Sequence, residues 1–370
     1  MTPPSTPGAE VKKQTMKEKL FNLAVSNMIS NAINVGNRLN LFKKLAEISS
    51  EKNPVLPDQL AEAAGCKERY VREWLNCMAC GEIIGVNEEE KFWIREEDVE
   101  ALATNGNEVT MNGIIAPLLE PLDQLIECFK KEGPLGLEYS QFTHFQEAMA
   151  LMTKGLVVEN LVSDMVKSLG NGVYEMLTTG GIRVLDVGCG SGLHASMLAE
   201  HYPKAHFVGL DIVPGALKFA NQRKTKSGEA FENLEFVLSD AAKMPAGWTD
   251  SFDLVLQFDS LHDMSRPDLC LQEVHRVLKP NATFALIEIK GSSNVFTDKA
   301  TMAQRGALMY GISMFHCLPV GSNDANALCC GSMWGQKRAV DLLNKNGFPN
   351  VNVVDTPHFP VNVLYVSKKN

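Results

Sequence analysis

The segment Val184-Leu185-Asp186-Val187-Gly188-Cys189-Gly190-Ser191-Gly192 carries more potential chemistry than any other stretch of the chain. An apolar run that predicts a buried strand ends in three glycines alternating with small residues, and a helix is expected from about Leu193. Glycine tolerates positive φ and lets a ligand approach the backbone closely. The helix start beyond it presents free N–H groups to an anion. Two large classes of cofactor use such a loop, and three details separate them. A dinucleotide fingerprint, G-x-G-x-x-G, would need its third glycine where Leu193 stands. Asp186 puts a carboxylate just before the loop, where a pyrophosphate would be repelled but an amino group or sulfonium would not. Asp211 ends the next predicted strand, where a carboxylate can accept from both ribose hydroxyls. Each such charge-assisted bond is worth about 1.5–3 kcal/mol in a site without water.

Other reactive side chains lie downstream. Gln257-Phe258-Asp259-Ser260-Leu261-His262-Asp263-Met264 continues a predicted strand and contains an imidazole that can take a proton from a hydroxyl, thiol or amine near neutral pH. His262 could equally cap the following helix or bond a backbone carbonyl. Cys189 inside the glycine loop is either a nucleophile or simply a small residue. Cys77-x-x-Cys80 lacks a second pair, whereas zinc sites usually need four ligands. Asp259 and Asp263 do not by themselves make a metal-binding carboxylate cluster, so no metal is expected.

These residues need a scaffold, and the chain predicts one in three parts after a tail at 1–15. Residues 16–104 read as helices followed by a β-hairpin, a winged helix-turn-helix pattern. Apolar residues recur at helical spacing from Met16 to Ile48, helices are expected to stop at Gly65 and Gly81, and strands are expected at 82–86 and 91–94. Residues 105–180 show only helical patterns and form a linker or a cap. Residues 181–370 alternate strands with helices, predicting a doubly wound α/β sheet of seven strands. Those strands are expected at 183–187, 206–211, 234–239, 252–258, 283–289, 351–355 and 362–366. The last two, separated by Pro357 to Pro360, should form an antiparallel hairpin unlike the end of a dinucleotide-binding domain.

On these motifs the chain from Gly181 resembles the class I S-adenosylmethionine-dependent methyltransferases. The resemblance implies a Rossmann-like sheet with strand order 3-2-1-4-5-7-6. It also implies that S-adenosylmethionine is the cofactor, with Asp186, Gly188, Gly190 and Gly192 at its methionine moiety and Asp211 and Ile212 at the ribose. Asp240 and Ala241 would meet the adenine, and Gln257 would complete the cofactor set. The end of strand four would face the transferred methyl, which makes His262 the first candidate base and His316 the second. The segments Tyr310 to Pro319 and Gly331 to Gly335 resemble those of a subgroup with a winged-helix N-terminus, where insertions build the acceptor pocket; Tyr310 and Trp334 are the candidates there. The implied activity is methyl transfer to an O, N or S nucleophile of a small molecule. A cofactor-sensing regulator and a protein or nucleic-acid methyltransferase are the alternatives.

Composition limits the partners. The 370 residues are 45% apolar and 21% charged, with a mean hydropathy of −0.08 and a net charge of −9. This excludes a collagen-like or disordered chain, and no apolar run is long enough to span a membrane. The negative charge argues against phosphate-driven nucleic-acid binding. Within residues 51–100, acidic side chains outnumber basic ones, the second helix of the pair alternates signs from Glu68 to Glu73, and the wing tip is Glu88-Glu89-Glu90. A groove reader needs the opposite. The module is therefore expected to be a scaffold that packs on the catalytic domain or on a second subunit, and the resemblance implies that it serves homodimerisation. With no secretion signal and nine scattered cysteines, a cytoplasmic location is expected.

Overall fold

The computed structural model describes residues 14–104, 107–145, 160–356 and 361–370. The chain divides into two compact units, Met1–Gly113 and Ile114–Asn370. Most of the expected N-terminal tail, the central part of the stretch 105–180 and the Pro357–Pro360 turn lie outside the described residues.

In the first unit, helix α1 (Met16–Arg38) begins at a capping box in which Thr15 and Glu18 satisfy each other's backbone N–H groups. The apolar periodicity continues to Ile48, but the helix does not. Asn40 adopts φ 56° and breaks it, and α2 (Leu41–Ile48) starts in a new direction. Helix α3 (Pro57–Ala64) stops at Gly65 with φ 64°, and α4 (Glu68–Cys80) follows. Phe42, Leu45, Leu60, Trp74, Leu75, Met78 and Phe92 form the core. The Trp74 indole N–H donates to the Ala32 carbonyl at 2.9 Å. A Cβ at Gly36 would come within 2.5 Å of the Trp74 ring, so only glycine lets α1 lie this close. The expected wing is present but short. Strands β1 (Gly85–Val86) and β2 (Phe92–Trp93) pair over two residues each, with Glu82 and Glu90 in left-handed conformations at either end.

The second unit holds a seven-stranded sheet made of β3 (Arg183–Val187), β4 (His206–Asp211), β5 (Leu234–Leu238), β6 (Phe252–Phe258), β7 (Leu278–Ile289), β8 (Asn352–Asp355) and β9 (Asn362–Lys368). Their order is β5-β4-β3-β6-β7-β9-β8, which is the expected 3-2-1-4-5-7-6. Only β9 runs antiparallel to its neighbours. Strand β7 starts earlier than the pattern predicts, because Leu278 pairs with Phe252 before a register shift.

Both faces of the sheet are covered, which explains the nearly continuous apolar runs. Leu185, Val187, Val255, Leu286 and Tyr365 face the helix Pro267–Val277 and the helix Gln336–Lys345. Val184, Leu256, Ile287 and Leu364 face the opposite layer, where Leu198, Tyr202, Leu161 and Met165 pack. Residue parity along each strand thus decides which layer a side chain meets. The carboxyl ends of β3, β4 and β6 are left open, where ligands of such sheets bind.

Candidate functional site

A cavity of about 630 Å³ opens at those strand ends. Its first wall is the glycine loop. Gly188 and Cys189 donate to the Leu210 carbonyl at 2.8 and 3.0 Å, which ties the loop to β4. The Asp211 carboxylate braces it further, accepting from the Gly190 N–H at 2.7 Å and the Val213 N–H at 2.8 Å. Burial raises the Asp211 pKa against these backbone bonds.

The three glycines are required for different reasons. A Cβ at Gly188 would strike Ser260 at 2.5 Å, and one at Gly192 would strike the Phe236 ring at 2.5 Å. A Cβ at Gly190, which has φ 53°, would meet nothing within 4 Å. Gly190 therefore presents bare backbone to open space, as a ligand cradle requires.

Gly188, Gly190, Asp211, Ile212, Asp240 and Ala241 all line the cavity, as do Cys189 and Ser191. Asp240 accepts from the Ala242 N–H at 2.8 Å, holding its turn. Other expected cofactor residues lie behind the wall. Gly192 packs on Phe236, as above. Asp186 is 3% exposed beneath the loop, and neither of its oxygens has a well-formed hydrogen bond. Burial first, and the Asp211 charge second, push its pKa up to about 7 against the Ala195 N–H. Gln257 is fully buried on the sheet face that meets the helix Pro267–Val277, where its amide donates to Ser260 Oγ at 3.2 Å. Its parity on β6 turns it away from the cavity, which it does not line.

The far end of the cavity is built from Leu137, Tyr139, Phe145, Leu161 and Met165, together with Phe258, His194 and Val320. The described parts of the helical stretch before the sheet thus supply one wall of this compartment. His194 stacks on Phe258 with ring centroids 4.1 Å apart, and burial lowers its pKa to about 4, with Arg223 adding to the effect.

Between the two ends stand Asp259, Ser260 and Asp263. Asp259, at the end of β6 with φ 43°, accepts from the Asn362 amide on both oxygens at 2.8 Å. It is exposed toward the cavity. Loss of hydration, then repulsion from Glu288, push its pKa up to about 7, against the attraction of His262 and the Asn362 bond. Water in the open cavity offsets part of the first effect; a ligand that displaces the water restores it.

Neither expected base lines the cavity. His262 is 3% exposed, with Nδ1 2.5 Å from Glu288 Oε2 and Nε2 3.3 Å from Asp263 Oδ1. Burial alone would lower its pKa, but the flanking carboxylates of Glu288 and Asp263 outweigh it and raise the pKa well above the usual imidazole range. An imidazole held protonated is a poor proton acceptor. His316 is buried behind Phe145, on which it stacks at 3.7 Å, and burial pushes its pKa down to about 4. The two expected acceptor-pocket residues are also set back. The Tyr310 hydroxyl donates to Asp298 at 2.8 Å, and the buried Trp334 indole donates to Glu288 at 3.4 Å. Trp334 thereby steadies the carboxylate that holds His262.

Sequence reading weighed Asp259 only as a metal ligand, although it lines the cavity, and gave no role to Asn362. Asp259 could have been weighed from its position at the end of strand four. Asn362 has no local signal, because its partner is 103 residues away.

Comparison with known proteins agrees with this geometry. Residues 178–347 match a family model described as a methyltransferase domain, and residues 26–104 match an Rv2258c-like winged HTH domain. A fatty-acid O-methyltransferase of Mycolicibacterium smegmatis is 41% identical over 104 residues, 28% of this chain and 36% of that protein. The chain spans less than half the length of the curated relatives it matches. Two solved structures share the fold. An O-methyltransferase family protein from Burkholderia thailandensis has a TM-score of 0.67 and 15% identity, covering 97% of this chain and 99% of its own. Human N-acetylserotonin methyltransferase, solved with S-adenosylmethionine, has a TM-score of 0.64 and 16% identity, covering 98% and 100%. Residues 178–347 thus carry a methyltransferase domain, preceded at residues 26–104 by a winged helix-turn-helix domain.

Proposed function

We propose that the protein transfers a methyl group from S-adenosylmethionine to a nucleophilic atom of a small molecule. The observation that carries this reading is one continuous cavity in which the bare backbone of Gly190 and the Asp211 carboxylate adjoin Asp259 and an apolar compartment. Among the lining residues Arg266 is the only lysine or arginine, and Asp268 already pairs it at 2.6 Å. Such a wall repels a pyrophosphate and favours a cationic donor. The bound donor supplies an electrophilic methyl on a sulfonium. Gly188, Gly190 and Asp211 would hold its amino-acid and ribose parts, and Ile212, Asp240 and Ala241 its base.

The protein's part is alignment and proton removal. With the donor bound, the acceptor atom would take its methyl as the carbon–sulfur bond breaks, and the acceptor's proton would go to an oxygen of Asp259. Alignment of two bound reactants can lower the barrier by about 7–11 kcal/mol. A general base with a pKa near the working pH contributes about 10²–10⁴-fold. His262, held between Glu288 and Asp263 behind the cavity wall, does not act as the base. Asp259→Asn tests this. With methyl-labelled donor and a metabolite extract, the wild type is expected to yield a labelled product identifiable by mass spectrometry. The variant should bind the donor normally by calorimetry and transfer about 100-fold more slowly. Unchanged transfer would remove Asp259 as the base, and absence of donor binding by the wild type would remove the function.

The N-terminal unit supports pairing with a second copy of the chain more than DNA reading, because α1 leaves Met16, Leu20, Phe21 and Met28 exposed. No described helix is long and apolar enough to cross a membrane. All nine cysteines are free thiols, which supports a cytoplasmic location.

A further inference from the structure

Behind the cavity wall lies a cluster that methyl transfer does not require. His262 Nε2, a carboxylate oxygen of Asp263 and Cys317 Sγ all lie within 4.8 Å of one another. His316 puts Nδ1 3.7 Å from the second carboxylate oxygen, Asp263 Oδ2. His316 is 1% exposed, and neither of its ring nitrogens has a hydrogen-bond partner. A buried polar group left without a partner is destabilising and calls for a ligand. Glu288 meanwhile fixes His262 through Nδ1, which directs Nε2 at the cluster, in the carboxylate–histidine pattern that backs metal ligands. Asp259, Asp263 and Glu288 crowd this region, and among the described residues no lysine or arginine pairs with any of them. Among the described residues the protonated His262 is the one cation set against these carboxyl groups.

We propose that His262, Asp263, His316 and Cys317 bind one zinc ion. Two imidazoles, a thiolate and a carboxylate are a borderline-soft set that suits zinc better than calcium or magnesium. Bond lengths of about 2.0–2.3 Å in a tetrahedron place ligand atoms roughly 3.3–3.6 Å apart. The 3.3 Å from His262 Nε2 to Asp263 Oδ1 already matches this spacing, and His316, whose Nδ1 lies 3.7 Å from the other oxygen, Oδ2, completes the shell when its side chain turns toward the other three. Binding forms four bonds to zinc and releases the Sγ proton and the Nε2 proton to solvent. With four protein ligands the site is closed, so its work is structural. It clasps the π-helix Ser313–Cys317 to the turn Leu261–Asp263 that follows β6. Asp263, which lines the cavity, gives the ion its way in.

The test needs no turnover, so it stands apart from the methyl-transfer reading. The full chain is stripped with a chelator and titrated with cobalt(II). One equivalent is expected to bind, with the strong visible bands of a four-coordinate ion and a thiolate-to-cobalt band in the near ultraviolet, all erased by zinc. Cys317→Ser should lose the thiolate band, and Glu288→Gln should keep it while weakening zinc about 10–100-fold. Should Cys317→Ser not fold, X-ray absorption on the zinc-loaded wild type replaces it, with one sulfur and three nitrogen or oxygen neighbours expected. No stoichiometric uptake by the wild type, a thiolate band that survives Cys317→Ser, or a zinc shell without a single sulfur would each overturn the proposal.

Discussion

Asp186 and Asp259 are both carboxylates whose pKa is pushed up to about 7, and they differ in what that does. Asp259 faces the cavity, so its proton affinity sets a rate. Transfer is expected to rise with pH through about 7 as the base ionises, and in Asp259→Asn that limb should vanish from the rate profile. Asp186 faces protein, so its proton affinity sets stability. Its ordinary value is 3.8. Between pH 4 and 7 the folded state holds a proton that the unfolded state has lost, so stability falls as pH rises across that window. The full difference is on the order of 4 kcal/mol. Asp186→Asn removes this dependence. The stability of the variant relative to wild type, from denaturant melts without donor, should therefore increase from pH 4 to pH 7 and then level off. A constant difference across the window would show that Asp186 is not the group responsible.

The glycine loop shows how one element separates binding from folding. Gly190 and Gly192 both sit at positive φ, where a Cβ costs roughly 1–2 kcal/mol. Gly190→Ala adds a methyl toward open space, so its melting temperature should drop only by that strain. Donor affinity by calorimetry should fall at least about tenfold, or roughly 1.4 kcal/mol. Gly192→Ala forces its methyl into Phe236 and Ala220, adding about 1–3 kcal/mol of overpacking. Its main loss should be in stability. If the two variants lost affinity and stability in the same proportion, the distinction between cradle and packing glycine would fail. The expected β-hairpin of the first unit teaches a related lesson. An acidic tip repels itself, and only two residues on each side pair.

For the whole molecule the open question is what covers α1. Met16, Leu20, Phe21 and Met28 are each more than 60% exposed, an apolar surface unusual for a lone monomer. Sedimentation should report a dimer for the wild type and a monomer for Phe21→Glu, with the cavity's donor affinity unchanged in the variant. The first unit should leave duplex DNA unshifted at physiological salt, because its recognition helix pairs its own arginines with Glu68 and Glu73.

Sequence alone determined the doubly wound sheet, its strand order through family resemblance, and the loop with Asp211, Ile212, Asp240 and Ala241. Those features are local, since alternating strands and helices, glycine spacing and strand-end carboxylates each need only a short window. Tertiary structure decided the rest. Asp259 meets Asn362 because β7 and β9 pair antiparallel beside β6, and Glu288 meets His262 because β7 lies parallel to β6. Parity on β6 turned Gln257 away from the cavity, and a π-helix far along the chain brought His316 and Cys317 to Asp263. Charge and proton affinity at this site depend on side chains that meet only when the sheet closes, and spacing along a chain cannot encode distances set by its folding.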